Sequence, residues 1–272
     1  MTILFILFLL LPFIVVAVVI AGAVSEARRA AWPFAMGRVI SNTLGAIGAA
    51  PLLMLAAGVM GAGVPRLLLG LLGGGAGLAG FAAGLGLTGA KLLSWMLIGQ
   101  LAQLVTIGAA LDGLAGRPID VRTLVIRSLR LLPGGIVIAV LTAIGVGLGL
   151  VLLVVPGMIL ASLWVLATPA MVAEGIGPLA AIGRSVALTQ GARWRILLLL
   201  AIVGFCWLVV TAVTGVAGIA LQASGATAAL LIDALIGTLT SIVSATGLAA
   251  LFHEVRVGKE GAGDMPLEAV FA

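Results

Sequence analysis

The chain has 272 residues, 63% of them apolar and only 8% Asp, Glu, Lys or Arg, with a net charge of +5. A mean hydropathy of +1.37 leaves no room for a sizeable water-soluble domain. Nor is the positive charge a nucleic-acid footprint. The basic residues sit in short clusters at the edges of long apolar runs, where they orient membrane helices and meet anionic headgroups.

An uncharged run of about 20 residues matches the ~30 Å hydrocarbon core, and lipid offers a bare peptide group no partner. The fold class expected is therefore all-α: a polytopic bundle of about seven transmembrane helices, one N-terminal and the rest in three hairpins. The N-terminal helix and its basic linker form residues 1–33. Residues 34–272 form a single six-helix membrane domain with a short cytoplasmic C-terminal tail.

The first apolar run, Ile3 to Ala23, is too long for a signal-peptide core, and no Lys or Arg precedes it. Arg28 and Arg29 follow it, which favours a retained helix with its N-terminus outside. Ala21-Gly22-Ala23 also fits a small-residue cleavage site, so removal stays open as the alternative. The first hairpin is expected to pair Leu44 to Val64 with Leu92 to Leu111. Between them, Leu67 to Ala90 is apolar but crowded with glycine, and reads as a kinked continuation past Pro65 plus an outer-leaflet or re-entrant connection. The second hairpin runs from Ile136 to Val155, turns at Pro156-Gly157 in a type II geometry, and returns to about Ala173. The third runs from Ile196 to Leu221, turns near Ser224-Gly225, and returns through Ala228 to Phe252. Cys206 stands alone in an apolar run and reads as a small hydrophobe.

Charge placement supports this order. Arg28, Arg29, Arg38, Arg117, Arg122, Arg127, Arg130, Arg184, Arg193, Arg195, Arg256 and Lys259 fall on one side, and Arg66 and Lys91 on the other, twelve against two. The positive-inside rule puts the larger group in the cytoplasm. The linkers themselves carry helical patterns. Over Val121 to Leu132 the apolar Val121, Val125, Leu129 and Leu132 oppose Thr123, Arg127 and Arg130, with Asp120 placed as N-cap. Pro178 opens a second amphipathic helix that ends before Gly191, with Leu179, Ile182 and Val186 turned to the acyl boundary and Arg184 to the headgroups. Arg38 to Leu44 begins the same way. These linkers make Arg122, Arg127, Arg130, Arg184, Arg193 and Arg195 candidates for contact with lipid headgroups. The three segments Arg38-Val39-Ile40-Ser41, Ile126-Arg127-Ser128-Leu129 and Gly183-Arg184-Ser185-Val186 suggest a weak threefold repeat of interfacial helix plus hairpin, although chance likeness among such segments accounts for it nearly as well.

Ionisable groups inside a membrane are costly and normally face a partner or a wet cavity. Asp233 lies about two turns inside the outer end of the last helix, with Thr240, Ser241 and Ser244 continuing along its face. Gln100 and Gln103, one turn apart on an earlier helix that Lys91 begins, complete a candidate polar cavity, in which Lys91 is the expected partner of Asp233. The competing and favoured reading is that these groups bond between helices and line no cavity. Enzymatic readings lack residues. His253 is the only histidine, the carboxylates show no metal-ligand spacing, and no phosphate loop ends in Gly-Lys-Ser/Thr. No cofactor is expected.

The segment Val154-Val-Pro-Gly-Met-Ile-Leu, followed by Pro169 and then Glu174-Gly-Ile-Gly-Pro-Leu-Ala-Ala-Ile-Gly-Arg-Ser-Val-Ala-Leu-Thr-Gln-Gly-Ala-Arg-Trp-Arg195, resembles the signature of the bacterial glycerophosphoryl diester phosphodiesterase membrane-domain family and its YciC-like relatives. Within it Pro156, Gly157, Glu174, Arg184, Ser185 and Arg195 are the motif positions, with Glu174 and Arg184 placed to pair. Gly116-Arg117-Pro118 and Glu254 to Gly261 resemble the family's central loop and ending. The resemblance starts near Phe34, and the catalytic barrel of the family's namesakes is missing. It implies an inner-membrane protein without enzymatic activity that handles, senses or transports membrane amphiphiles or lipids. The alternatives are an accessory subunit scaffolding another membrane protein, and a secondary transporter. Membrane lipids are the expected partners in the first case.

Overall fold

The long apolar runs fold as helices, and no strand occurs among the residues that the computed structural model describes: 17–28, 35–73, 78–152, 154–222 and 226–261. Within 69–95, 152–155 and 216–226 the backbone alone is described. Six segments are long and apolar enough to cross a bilayer: Pro51–Leu68, Met96–Leu114, Val121–Val151, Pro156–Glu174, Arg193–Gly215 and Thr227–Glu260. They are the three expected hairpins of an integral membrane protein. Helix α1 (17–28) is the described part of the N-terminal helix, and the rest of Ile3 to Ala23 lies outside the described residues.

In the first hairpin the expected boundary at Leu44 is wrong. The interfacial helix α2 (Met36–Ala49) continues past it, and the chain leaves helical geometry only at Ala50. The span starts at α3 (Pro51–Gly58), where proline suits a first turn that needs no N–H. A π-turn, Val59–Gly63, then leads into α4 (Val64–Gly73). There the Val64 N–H reaches back to the Val59 carbonyl. A proline ring crowds the carbonyl four residues earlier, and the wider turn carries the helix through Pro65. So the continuation past Pro65 forms, and Leu78 to Ala90, expected as part of the connection, is helical, while 74–77 lie outside the described residues. Helix α5 (Leu78–Leu114) begins in the glycine-rich stretch and runs 37 residues without a break. At that length it spans roughly 55 Å, well past the hydrocarbon core. Glycine's poor helix propensity is outweighed where lipid leaves the backbone no other partner.

The second hairpin corrects another expectation. Helix α6 (Val121–Leu152) fuses the amphipathic linker to the span and passes straight through Pro133. Pro156 and Gly157 are not a turn. They lie in the first turn of α7 (Val154–Trp164), where proline is again tolerated. Gly157 is needed for closeness rather than for positive φ. A Cβ on Gly157 would stand 2.5 Å from the Leu150 nitrogen, and one on Gly149 would stand 2.7 Å from the Gly157 Cα. After a two-residue step the chain resumes as α8 (Ala167–Glu174).

The third hairpin follows expectation. Helix α9 (Pro178–Thr189) opens on proline, and Gly191 takes a φ of 86° just beyond its end. Helices α10 (Arg193–Gln222) and α11 (Ala226–Glu260) complete the bundle, and the expected turn at Ser224-Gly225 lies outside the described residues. A basic amphipathic helix therefore precedes each hairpin, but in the second it is continuous with the span, so the proposed repeat is only approximate.

Helices α5 and α11 form the middle. Leu104 and Ile107 of α5 pack with Ile138 of α6, Met171 of α8 and Ala245 and Ala249 of α11. Small residues let these backbones approach, as helix association in lipid requires. Helix α11 touches α2, α3, α4, α5, α8, α9 and α10.

Candidate functional site

Of the residues expected to line a polar cavity with Asp233, none with a described side chain is fully buried. Asp233 and Ser244 are exposed, whereas Thr240, Ser241, Gln100 and Gln103 are half-buried. The Thr240 hydroxyl donates to the Ile236 carbonyl of its own helix at 2.7 Å. The inward face of α11 is one residue over: Ala234, Thr238, Ile242, Ala245, Thr246 and Ala249 are buried, and both threonines bond their own backbone. Asp233 also has a different partner from the one expected. Arg66 of α4 places Nε 3.9 Å from its Oδ2, whereas the Lys91 side chain lies outside the described residues. At 59% side-chain exposure for Asp233, the Arg66 pair is loose.

The dense polar structure lies at the other end of α11, roughly 30 Å away along its axis. Buried Glu254 accepts from Arg38 Nε at 2.9 Å and from the Ala35 N–H at 3.4 Å, so a carboxylate of α11 holds the start of α2. The hydrogen bond that Arg38 donates to Glu254 keeps its guanidinium above its ordinary pKa. The expected Glu174–Arg184 pair forms, Nε to Oε1 at 2.9 Å, and Arg184 also binds Glu260, which reaches Arg256 at 3.4 Å. Partial burial opposes the charged form of Arg184, but its two carboxylate partners outweigh that and raise its pKa. Lys259 donates to the Ala187 and Gln190 carbonyls at the end of α9. This is where a cation best meets orphan carbonyls. Arg127 does the same for α8, donating through Nη2 to Val172 and Ala173. Asp120 accepts the Arg122 and Thr123 N–H groups as the cap of α6, and its bonds with Thr123 hold its carboxyl below the usual range.

Two motif residues act inside the protein. Ser185, fully buried, donates to the Leu163 carbonyl at 2.6 Å and accepts from the Leu166 N–H at 3.1 Å. It thereby bridges the step between α7 and α8. Arg195 is buried at 7% exposure beside Glu26 and the Gly191 carbonyl, so it is not the headgroup contact expected of it. Glu26 of α1 accepts the Trp194 and Arg195 N–H groups and caps α10. Of the six headgroup candidates, Arg122, Arg130 and Arg193 are exposed, while Arg127, Arg184 and Arg195 are committed to partners within the chain.

Between α5, α6, α8 and α11 at this end lies a cavity of about 690 Å³. Its floor is apolar, made by Gly108, Leu111, Val172 and Phe252. Its polar wall carries Asp112, Arg117, Arg127, His253, Arg256 and Glu260. None of the polar-stripe residues lines it. The chain matches no protein-family model, no curated protein and no solved structure. The cavity is therefore read from its own residues. Among the described residues no three His, Cys, Asp or Glu side chains gather as they would around a metal ion. What the wall offers is a set of guanidinium donors over an apolar floor, the combination suited to a charged head carrying an apolar body. Sequence reading singled out Arg127 but not Asp112, Arg117 or Phe252 as one group. Asp112 and Arg117 lie together at the end of α5, where the Arg117 N–H donates to the Asp112 carbonyl, but Arg127 and Phe252 come from other helices, and no spacing in the chain announces their meeting.

Proposed function

We propose that this protein is a multi-pass component of the bacterial inner membrane that handles or senses membrane amphiphiles without catalysing a reaction on them. Its N-terminus lies outside and its basic end in the cytoplasm, an orientation supported by the one-sided distribution of arginine. The reading is carried by one observation: an arginine-walled cavity with an apolar floor at the end of the bundle where the basic interfacial helices gather. The resemblance of the Pro156 to Arg195 block to the membrane domain of the glycerophosphoryl diester phosphodiesterases points the same way, by analogy alone. The test is extraction in native lipid particles followed by mass spectrometry of the retained lipids. Enrichment of one lipid class over the host membrane, lost on Arg117→Gln, supports the reading. A lipid profile identical to the bulk membrane in wild type and variant overturns it.

A second reading, an accessory subunit packing on another membrane protein, has its own observation. Residues 202–210 of α10 are exposed on every side, including Phe205, Trp207 and Leu208. Crosslinking from Cys206, which is exposed within this stretch, to a single stoichiometric membrane protein would favour it.

A further inference from the structure

The composition of the cavity wall sets the charge of what it holds. Three guanidinium groups, Arg117, Arg127 and Arg256, face two carboxylates, Asp112 and Glu260, leaving one guanidinium in excess. The adjoining Arg184–Glu174 pair cancels and leaves that excess unchanged. The members are not equally engaged. Glu260 is taken up by Arg184 and Arg256. Arg127 spends Nη2 on the carbonyls of α8, and a guanidinium carries five N–H donors in all. Arg117 and Asp112 enter no ion pair among the described residues.

We infer that the cavity takes a singly charged anionic phosphodiester head attached to an apolar tail. The phosphate oxygens sit against Arg117 and Arg127, and the first apolar atoms rest on Leu111, Val172 and Phe252. This deepens the amphiphile reading above and rests on it. Arginine favours phosphate because its planar fork offers parallel N–H donors. A volume of about 690 Å³ exceeds what a bare phosphate needs and lies within the range of small-molecule sites. Asp112 sets the upper limit on charge. A doubly charged monoester would bring its second negative charge against this carboxylate, whereas a zwitterionic head would leave the excess guanidinium without a counter-charge.

The experiment uses the full-length protein in neutral detergent micelles and isothermal titration with four probes. These are short-chain phosphatidylglycerol (a singly charged diester), short-chain phosphatidylcholine (a zwitterion), short-chain phosphatidic acid (a monoester) and tail-free glycerophosphoglycerol (the same diester head alone). Phosphatidylglycerol is expected to bind at least about tenfold more tightly than phosphatidylcholine. Arg117→Gln and Arg127→Gln should each cost about tenfold or more for phosphatidylglycerol alone, the effect of one charge-assisted bond. Arg127→Gln also removes the bonds to α8, so Arg117→Gln, which breaks no described bond, carries the test if the other variant fails to fold. Asp112→Asn raises the excess to two and should shift preference toward phosphatidic acid. Equal binding of diester and zwitterion, or an Arg117→Gln variant that binds like wild type, overturns the charge assignment while leaving amphiphile binding intact. Glycerophosphoglycerol binding as tightly as the tailed diester identifies a free anion as the ligand and overturns the tailed head. Binding of no probe overturns both this inference and the reading beneath it.

Discussion

Replacing Ser185 by Ala removes the one hydroxyl that bridges the step between α7 and α8. Two hydrogen bonds between helices in a membrane contribute about 0.6 kcal/mol each, roughly 1 kcal/mol together. The larger loss is at Leu166, whose buried N–H has Ser185 Oγ as its partner; orphaning it costs about 1–3 kcal/mol. The variant should therefore be less stable by roughly 2–4 kcal/mol. Ser162→Ala is the matched control. Ser162 is just as buried, but its hydroxyl donates at 2.8 Å to the Ile159 carbonyl of its own helix, so its removal orphans no donor and should cost no more than about 0.5 kcal/mol. Reversible unfolding of both variants in mixed micelles, followed by tryptophan fluorescence, measures the difference. If Ser185→Ala unfolds within about 0.5 kcal/mol of Ser162→Ala, the hydroxyl is not what holds the step, and packing of Leu166 and Ala170 alone sets it.

Gly157→Ala drives a methyl into the Leu150 backbone and should destabilise the second hairpin by about 1–3 kcal/mol. Gly204→Ala, with open space around it, should be neutral or stabilising by up to about 1 kcal/mol, and thermal denaturation compares the two. Because the folded Asp120 carboxyl is held below its ordinary value, its capping contribution is complete above that value and fades as pH falls through the lowered one. Amide protection at Arg122 and Thr123 should fall over that acid window in wild type and stay flat in Asp120→Asn, whose amide oxygen caps without titrating. Cys206, exposed on the face of a membrane span, should react with a lipid-soluble maleimide and resist a water-soluble one in sealed vesicles, and equal reaction with both would contradict the span.

Spans and their order are legible in the sequence because lipid forces every apolar run of sufficient length into a self-bonded helix, and the arginines mark which ends share a side. Gly191 and Asp120 were readable for a local reason, since cap chemistry acts within a turn or two. Pro156-Gly157 misled because the same dipeptide suits a type II turn and a helix first turn packed against a neighbour, and only the position of Gly149 decides between them. The polar stripe left two readings open for a different reason. Asp233, Thr240 and Ser244 do share a face, but α11 is apolar on its other sides as well, so periodicity defines a face without saying whether it points inward. The cavity at the basic end joins residues from four helices, and tertiary packing alone brings Asp112 and Arg117 to Arg127 and Glu260.

Helix α11 emerges from the ribosome after every helix it packs on. The first two hairpins can insert in turn and pack through α5, α6 and α8, yet α2, α3 and α4 wait with the face that α11 covers still against lipid. The closing act of assembly is thus the arrival of one late segment that seven earlier ones share, and a chain halted before Ala226 would leave inserted helices with that shared face uncovered and open to quality-control proteolysis.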